Sequence, residues 1–124
     1  MGVDRIDTKG KFRITRKNVD AFMDTHYPDS DMDLHEYIQN LGWGVKKTRK
    51  DGILGVERYA CGWIGRDEWE FFNSLAPYVE PGSYIEFAIY YDGVTYERWL
   101  FEDKQIKFQR GEETIEWKDA QPTY

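Results

Sequence analysis

From residue 83 to residue 118, apolar and polar side chains alternate in four short runs, 83–91, 94–102, 105–110 and 113–118, parted by turn-forming pairs. A period of two sends successive side chains to opposite faces of an extended chain. Runs this short, joined this tightly, are suited to antiparallel pairing. Asp92-Gly93 is the strongest turn signal, because Asp-Gly readily takes the left-handed conformations of a type I′ hairpin. Asp103-Lys104 and Gly111-Glu112 mark weaker turns. The C-terminal third therefore reads as a β-meander.

Two-residue turns fix its register. Tyr91 then opposes Val94, Ile89 opposes Tyr96, Phe87 opposes Arg98 and Ile85 opposes Leu100. Further on, Phe101 opposes Ile106, Trp99 opposes Phe108, Phe108 opposes Ile115 and Ile106 opposes Trp117. One face then holds Tyr84, Trp99, Phe101, Ile106, Phe108, Ile115 and Trp117, and is expected to be the core. The other holds Ile85, Phe87, Ile89, Tyr91, Val94, Tyr96, Arg98 and Leu100, and turns polar at Gln105, Lys107 and Gln109. So large an apolar area should not face water. Either the N-terminal helices cover it or a protein partner or second copy does; this makes those eight residues the candidate interaction surface.

Ahead of the meander the period changes. Residues 11–15 alternate around Phe12 and Ile14 as a short strand with a basic outer row. Thr15 can cap a helix over 16–26, whose Val19, Phe22, Met23 and His26 share one face. A second helix over 33–41 opens on a capping box, Asp33 with Glu36, and stops at Gly42. Two strands, 43–50 and 53–60, flank Asp51-Gly52, and that hairpin sets Lys46 against Glu57. A third helix over 67–76 repeats the capping spacing at Asp67 and Glu70, and its Trp69, Phe72, Leu75 and Ala76 face inward. The fold class is α+β over one domain, 1–124: a C-terminal meander packed on a central helix, with an N-terminal strand, two helices and a hairpin.

The stretch 66–108 resembles small uncharacterised proteins of gut bacteria and their mobile elements. The features are an acidic helix, Leu75 to Val79 with Gly82 to Glu86 ("LAPYVxxGSYIE"), the Asp92-Gly93 turn, and Trp99 with Phe101 on a "WxF" strand. The resemblance implies a bacterial or phage cytoplasmic setting. It carries no established activity and so assigns no functional residues.

Charge separates the two halves. Residues 1–61 hold 11 Lys and Arg against 10 Asp and Glu, and residues 62–124 hold 6 against 13. An acidic second half repels phosphates and suits a basic partner. The basic hairpin residues Lys46, Lys47, Arg49 and Lys50, with Lys11, Arg13, Arg16 and Lys17, could touch nucleic acid if their strands adjoin. Lysines guarding a sheet edge explain them more simply, so nucleic acid is not expected. A single Cys61 allows no internal disulfide and suits a cytoplasmic home. No apolar run approaches the roughly 20 residues of a membrane helix, and the N-terminus reads as neither a secretory signal nor a myristoylation site.

Chemistry-bearing motifs are scarce. Asp29, Asp31 and Asp33 alternate as in a calcium loop, but positions six and twelve are Leu34 and Asn40 where Gly and Glu are needed. Capping of the second helix accounts for them. His26 reads as an imidazole at the core edge, His35 as solvated, and Cys61 as a small buried hydrophobe. No catalytic residue, metal ligand or cofactor is expected. A non-enzymatic protein-interaction module is favoured. The alternatives are an acidic inhibitor of a host nucleic-acid-handling enzyme, acting by phosphate mimicry, and a small carboxylate-based enzyme.

Overall fold

The computed structural model describes residues 2–48, 50, 52–111 and 117–124. It is an α+β fold. Strands β1 (Arg5–Lys11), β4 (Tyr84–Tyr90), β5 (Val94–Glu102), β6 (Gln105–Gly111) and β7 (Lys118–Asp119) form one antiparallel sheet in the order β1-β4-β5-β6-β7. Strands β2 (Trp43–Thr48) and β3 (Gly52–Arg58) form a separate hairpin. Helices α1 (Arg16–His26), α2 (Leu34–Asn40) and α3 (Arg66–Leu75) complete it, with a 3₁₀ turn at Ala76–Tyr78.

The helix starts follow from their caps. Thr15 Oγ1 accepts the Asn18 N–H at 3.2 Å, and the Asp33–Glu36 box closes on both sides, as the sequence indicated. Burial pushes the Asp33 carboxyl up, but the Leu34 N–H, Arg16 and His35 outweigh it, and the net direction is below the usual carboxylate range. Helix α3 starts differently from expectation. Gly65 is its N-cap, and Glu68, not Glu70, reaches back to the Gly65 N–H at 2.6 Å. Glu68 is drawn inward by a buried arginine described below.

The core lies between one face of the sheet and a cover made of α3 and the hairpin. Phe72 of α3 packs on Trp99 with ring centroids 5.5 Å apart, and Trp43 of β2 stacks on the same indole at 6.0 Å. Helix α1 closes the end, its Phe22 meeting Phe71 and Tyr78 edge-on. Phe72 and Trp99 are both fully buried; truncating a side chain like Phe72 to Ala costs about 3–5 kcal/mol.

One turn decides which residues enter that core. Asp92 and Gly93 are both left-handed, with φ of 47° and 108°, as expected. Yet β4 closes on β5 with Tyr90 opposite Val94, so the loop is three residues long and the register is one residue off the sequence reading. Ile85 therefore opposes Trp99 and Phe87 opposes Glu97. A one-residue slip changes the face shared across the pair. Ile85, Phe87 and Ile89 join Trp99, Phe101 and Phe108 in the core. They are not available as an interaction surface. Tyr84, expected in the core, goes to the outer face with Val94, Tyr96, Arg98 and Leu100.

Four further expectations are corrected. The N-terminal strand is Arg5–Lys11, mostly ahead of 11–15; of the latter, Lys11 ends that strand opposite Tyr84, and Ile14 makes a two-way bridge to Ile53. That bridge brings the Ile14 backbone so close to Gly52 that a Cβ at Gly52 would strike the Ile14 carbonyl, and at φ 81° the position also suits glycine alone. In the hairpin Lys46 faces Gly55, and Glu57 faces Gly44, because the strands close at Thr48 opposite Gly52, and an irregularity at Lys46/Lys47 recovers only one residue of that shift. Trp117 does not oppose Ile106: β6 meets β7 at Gln109–Asp119 and Arg110–Lys118. Expectations for Asp51 and for 112–116, including Ile115, fall outside the described residues. Finally, α1 and α2 do not cover the outer face of the sheet; they pack against β3, the 3₁₀ turn and β2.

Candidate functional site: an aromatic recess beside Glu97

The outer face of the sheet accounts for itself. Lys9, Glu86, Arg98, Gln109 and Asp119 oppose one another in register across all five strands. Their side chains link in series: Lys9 Nζ to Glu86 Oε2 at 3.6 Å, Glu86 Oε1 to Arg98 Nη1 at 3.7 Å, Arg98 Nε to Gln109 Oε1 at 2.8 Å, and Gln109 Nε2 to Asp119 Oδ1 at 3.2 Å. Arg98 also stacks over Trp117 at 4.4 Å. A polar ladder flanked by half-buried Tyr84, Tyr96 and Leu100 is how an antiparallel sheet meets water on one side.

The other end of the inner face is different. Loop 59–65, between β3 and α3, is held by one buried side chain. Arg58, fully enclosed, gives Nη1 protons to the Ala60 and Gly62 carbonyls, both at 3.0 Å, and an Nη2 proton to the Trp63 carbonyl at 3.0 Å. Its remaining donors grip Glu68, at 2.6 Å from Nε and 3.2 Å from Nη2. Glu68 also accepts the Trp43 indole N–H at 2.8 Å. All five guanidinium N–H groups are used. Such a pair is costly to desolvate and is tolerated only when every lone pair and proton is matched, as it is here. Its effect is to turn the loop's carbonyls inward, which leaves Tyr59, Cys61 and Trp63 facing out. Cys61 is exposed for this reason, contrary to its expected burial.

Trp63 is 51% exposed and Tyr91 44%. Their rings meet edge-on at 5.2 Å, so the two stand together at the protein surface. Behind Trp63 opens a cavity of about 320 Å³ lined by Trp63, Ile64, Ile89, Glu97, Thr123 and Tyr124. Glu97 is its charged wall. It shares the inner face with Trp99 but lies beyond the indole, where the aromatic core ends. Its carboxylate is buried and accepts two bonds, from Tyr124 Oη at 2.8 Å and Arg110 Nη2 at 3.3 Å. Tyr124 lies across Trp69, Trp99 and Phe108, and its hydroxyl also accepts the Trp99 indole N–H at 3.0 Å. Burial, and then the Glu97 charge, drives the Tyr124 phenol far above its ordinary value, so it stays a neutral donor.

The sequence-named residues are scattered by comparison. Of the eight candidate surface residues, Ile89 lines this cavity, and exposed Tyr91 adjoins it through its contact with Trp63. His26 lays its ring on Phe22 at 4.4 Å, while His35 is half-buried with Nδ1 3.3 Å from the capping Asp33, so it is not simply solvated. The Ile14–Ile53 bridge does bring 11–17 beside the hairpin, but Arg16 is paired with Asp20 and Asp33; the Lys47 side chain and Arg49 lie outside what the structure describes. Asp29, Asp31 and Asp33 form no metal cage: among the described residues no group of three His, Cys, Asp or Glu side chains could hold an ion. Among them too, no helix is long and apolar enough to cross a membrane. Sequence reading passed over Trp63, Glu97, Arg58 and Tyr124. Only Glu97 carried a signal, its spacing of two from Trp99 on a strand.

In comparisons with known proteins, no family model, curated protein or solved structure matches this chain.

Proposed function

We propose that this chain is a non-enzymatic protein-interaction module of bacterial or mobile-element origin, and that it meets its partner at the Trp63–Tyr91 rim. One observation carries the reading. Two large exposed aromatics touch each other, one of them, Trp63, lines a recess, and the loop presenting it is held by a fully matched buried arginine. Trp and Tyr are the residues on which binding energy concentrates, and a rigid loop loses little entropy when it docks. A cytoplasmic setting goes with this reading, since the lone Cys61 has no internal partner. Phosphate mimicry has less to rest on. Glu70, Glu86, Glu97 and Glu102 are each set against a cation of the chain itself, which blunts the acidic second half.

The test is capture from a bacterial host, with the purified chain as bait, compared with a Trp63→Ala/Tyr91→Ala double variant. Both side chains are surface groups, so the variant should keep the wild-type melting temperature. The expected result is one or more proteins retained by wild type and lost with the double variant, or, if the partner is a second copy, a concentration-dependent mass in light scattering that the variant abolishes. Equal capture by both forms would move the contact site elsewhere.

A further inference from the structure

We infer that the recess beside Glu97 receives a cationic side chain, a lysine ammonium or an arginine guanidinium, projecting from the partner protein. This rests on the reading of the Trp63–Tyr91 rim as the contact site and specifies what it grips. Three features of the recess point to a cation. Its lining includes Trp63, which carries Tyr91 against it, and a cation within about 6 Å of a Trp or Tyr face is attracted by the ring quadrupole. Its wall holds one buried carboxylate, Glu97, whose two oxygens each accept a single bond in the structure. A carboxylate has about four acceptor positions, so capacity remains for a donor arriving from the cavity. The charge at the mouth has the matching sign. Arg5 and Arg110 offset Asp7 and Glu97 respectively, and the remaining negative charge comes from Asp92, next to Tyr91, and Asp4, whose N–H is held on the Tyr90 carbonyl at 2.8 Å.

The geometry also limits the ligand. At about 320 Å³ the cavity is at the lower end of the roughly 300–1,000 Å³ typical of small-molecule pockets. Its apolar lining from Ile64, Ile89 and Trp63 suits the methylene stem of Lys or Arg, with the charged head on Glu97. A lysine or arginine stem with a single charge at its tip has this order of chemistries; a carboxylate or phosphate would meet Glu97 head-on.

The experiment uses the full chain and three short peptides of matched length, alternating Gly-Ser with Arg, with citrulline, or with Glu. Binding is read by tryptophan fluorescence and calorimetry at low and moderate salt. The Arg peptide should bind saturably, with affinity falling several-fold as salt rises, and the citrulline and Glu peptides at least tenfold more weakly. Glu97→Gln keeps the shape and an acceptor for Tyr124, and should weaken the Arg peptide about tenfold; Trp63→Leu should do the same and remove the fluorescence change. Asp103→Asn, at the opposite end of the sheet, should leave binding unchanged. Equal binding of Arg and citrulline peptides, or an Arg affinity indifferent to both Glu97→Gln and Trp63→Leu, overturns the inference. If a partner captured through Trp63 and Tyr91 binds Glu97→Gln as tightly as wild type, the rim stands and its cationic ligand falls; if capture ignores the rim altogether, both fall.

Discussion

Among the described residues two glutamates are buried, and they are placed in opposite ways. Glu68 sits on a helix and is saturated: Arg58 twice, the Trp43 indole and the Gly65 N–H all converge on it, inside the fold. Glu97 sits on a strand at the end of the core, accepts one bond on each oxygen, and borders an open cavity. A buried carboxylate with every lone pair matched is part of the scaffold. One left with capacity and a route to solvent is where a second molecule can add a donor. The first glutamate serves the second: by fixing Arg58 it fixes loop 59–65, and that loop places Trp63 over the cavity that Glu97 lines.

The contrast can be broken from the scaffold side. Arg58→Ala leaves Glu68 buried without its charge partner and frees three loop carbonyls, and a loss of about 3–5 kcal/mol is expected. Urea unfolding measures it; a variant within about 1 kcal/mol of wild type would mean that the pair is not the clamp described. The Glu97 side is milder. Tyr124→Phe removes one donor to Glu97 and strips the Trp99 indole N–H of its acceptor, for which about 1–3 kcal/mol is expected. Alkali sharpens the same point. The Tyr124 phenol is raised far above its ordinary value of 10.0. Its contribution is therefore complete below that pH and declines above it, as the unfolded chain ionises and the folded one does not. Wild type should lose stability above pH 10 more steeply than Tyr124→Phe, and parallel curves would remove Tyr124 from the buried network.

Much of the scaffold was legible in the sequence, and the site was not. Thr15, the Asp33–Glu36 box and the stripe of Phe72 and Leu75 announced their helices because caps and apolar spacing are local signals. The meander was legible for the same reason, and β5 against β6 came out in register because Asp103-Lys104 is a true two-residue turn, with φ of 52° and 63°. The neighbouring turn misled. Asp92-Gly93 carried the stronger signal and took the expected conformation, but Tyr91 joined the loop, and one added residue exchanged the faces of β4 relative to β5. No local pattern shows that. Strand β1 was faint because its inward row, Ile6, Thr8 and Gly10, is barely apolar. Arg58 and Glu68 meet only when hairpin and helix pack, and Tyr124 reaches Glu97 across 27 residues. The functional candidate is assembled from such long-range meetings, so composition and periodicity could supply its parts without naming it.

The difference between the two glutamates is most directly tested by carboxyl carbon shifts in nuclear magnetic resonance, with Glu97 and Glu68 assigned through their Gln variants, during titration with the Arg peptide. The expected result is a saturable shift at Glu97, following the same binding curve as the Trp63 indole, with Glu68 unmoved. A titration in which Glu97 stays still while the peptide binds, or in which both carboxyls move together, would contradict the division between a closed carboxylate and an available one.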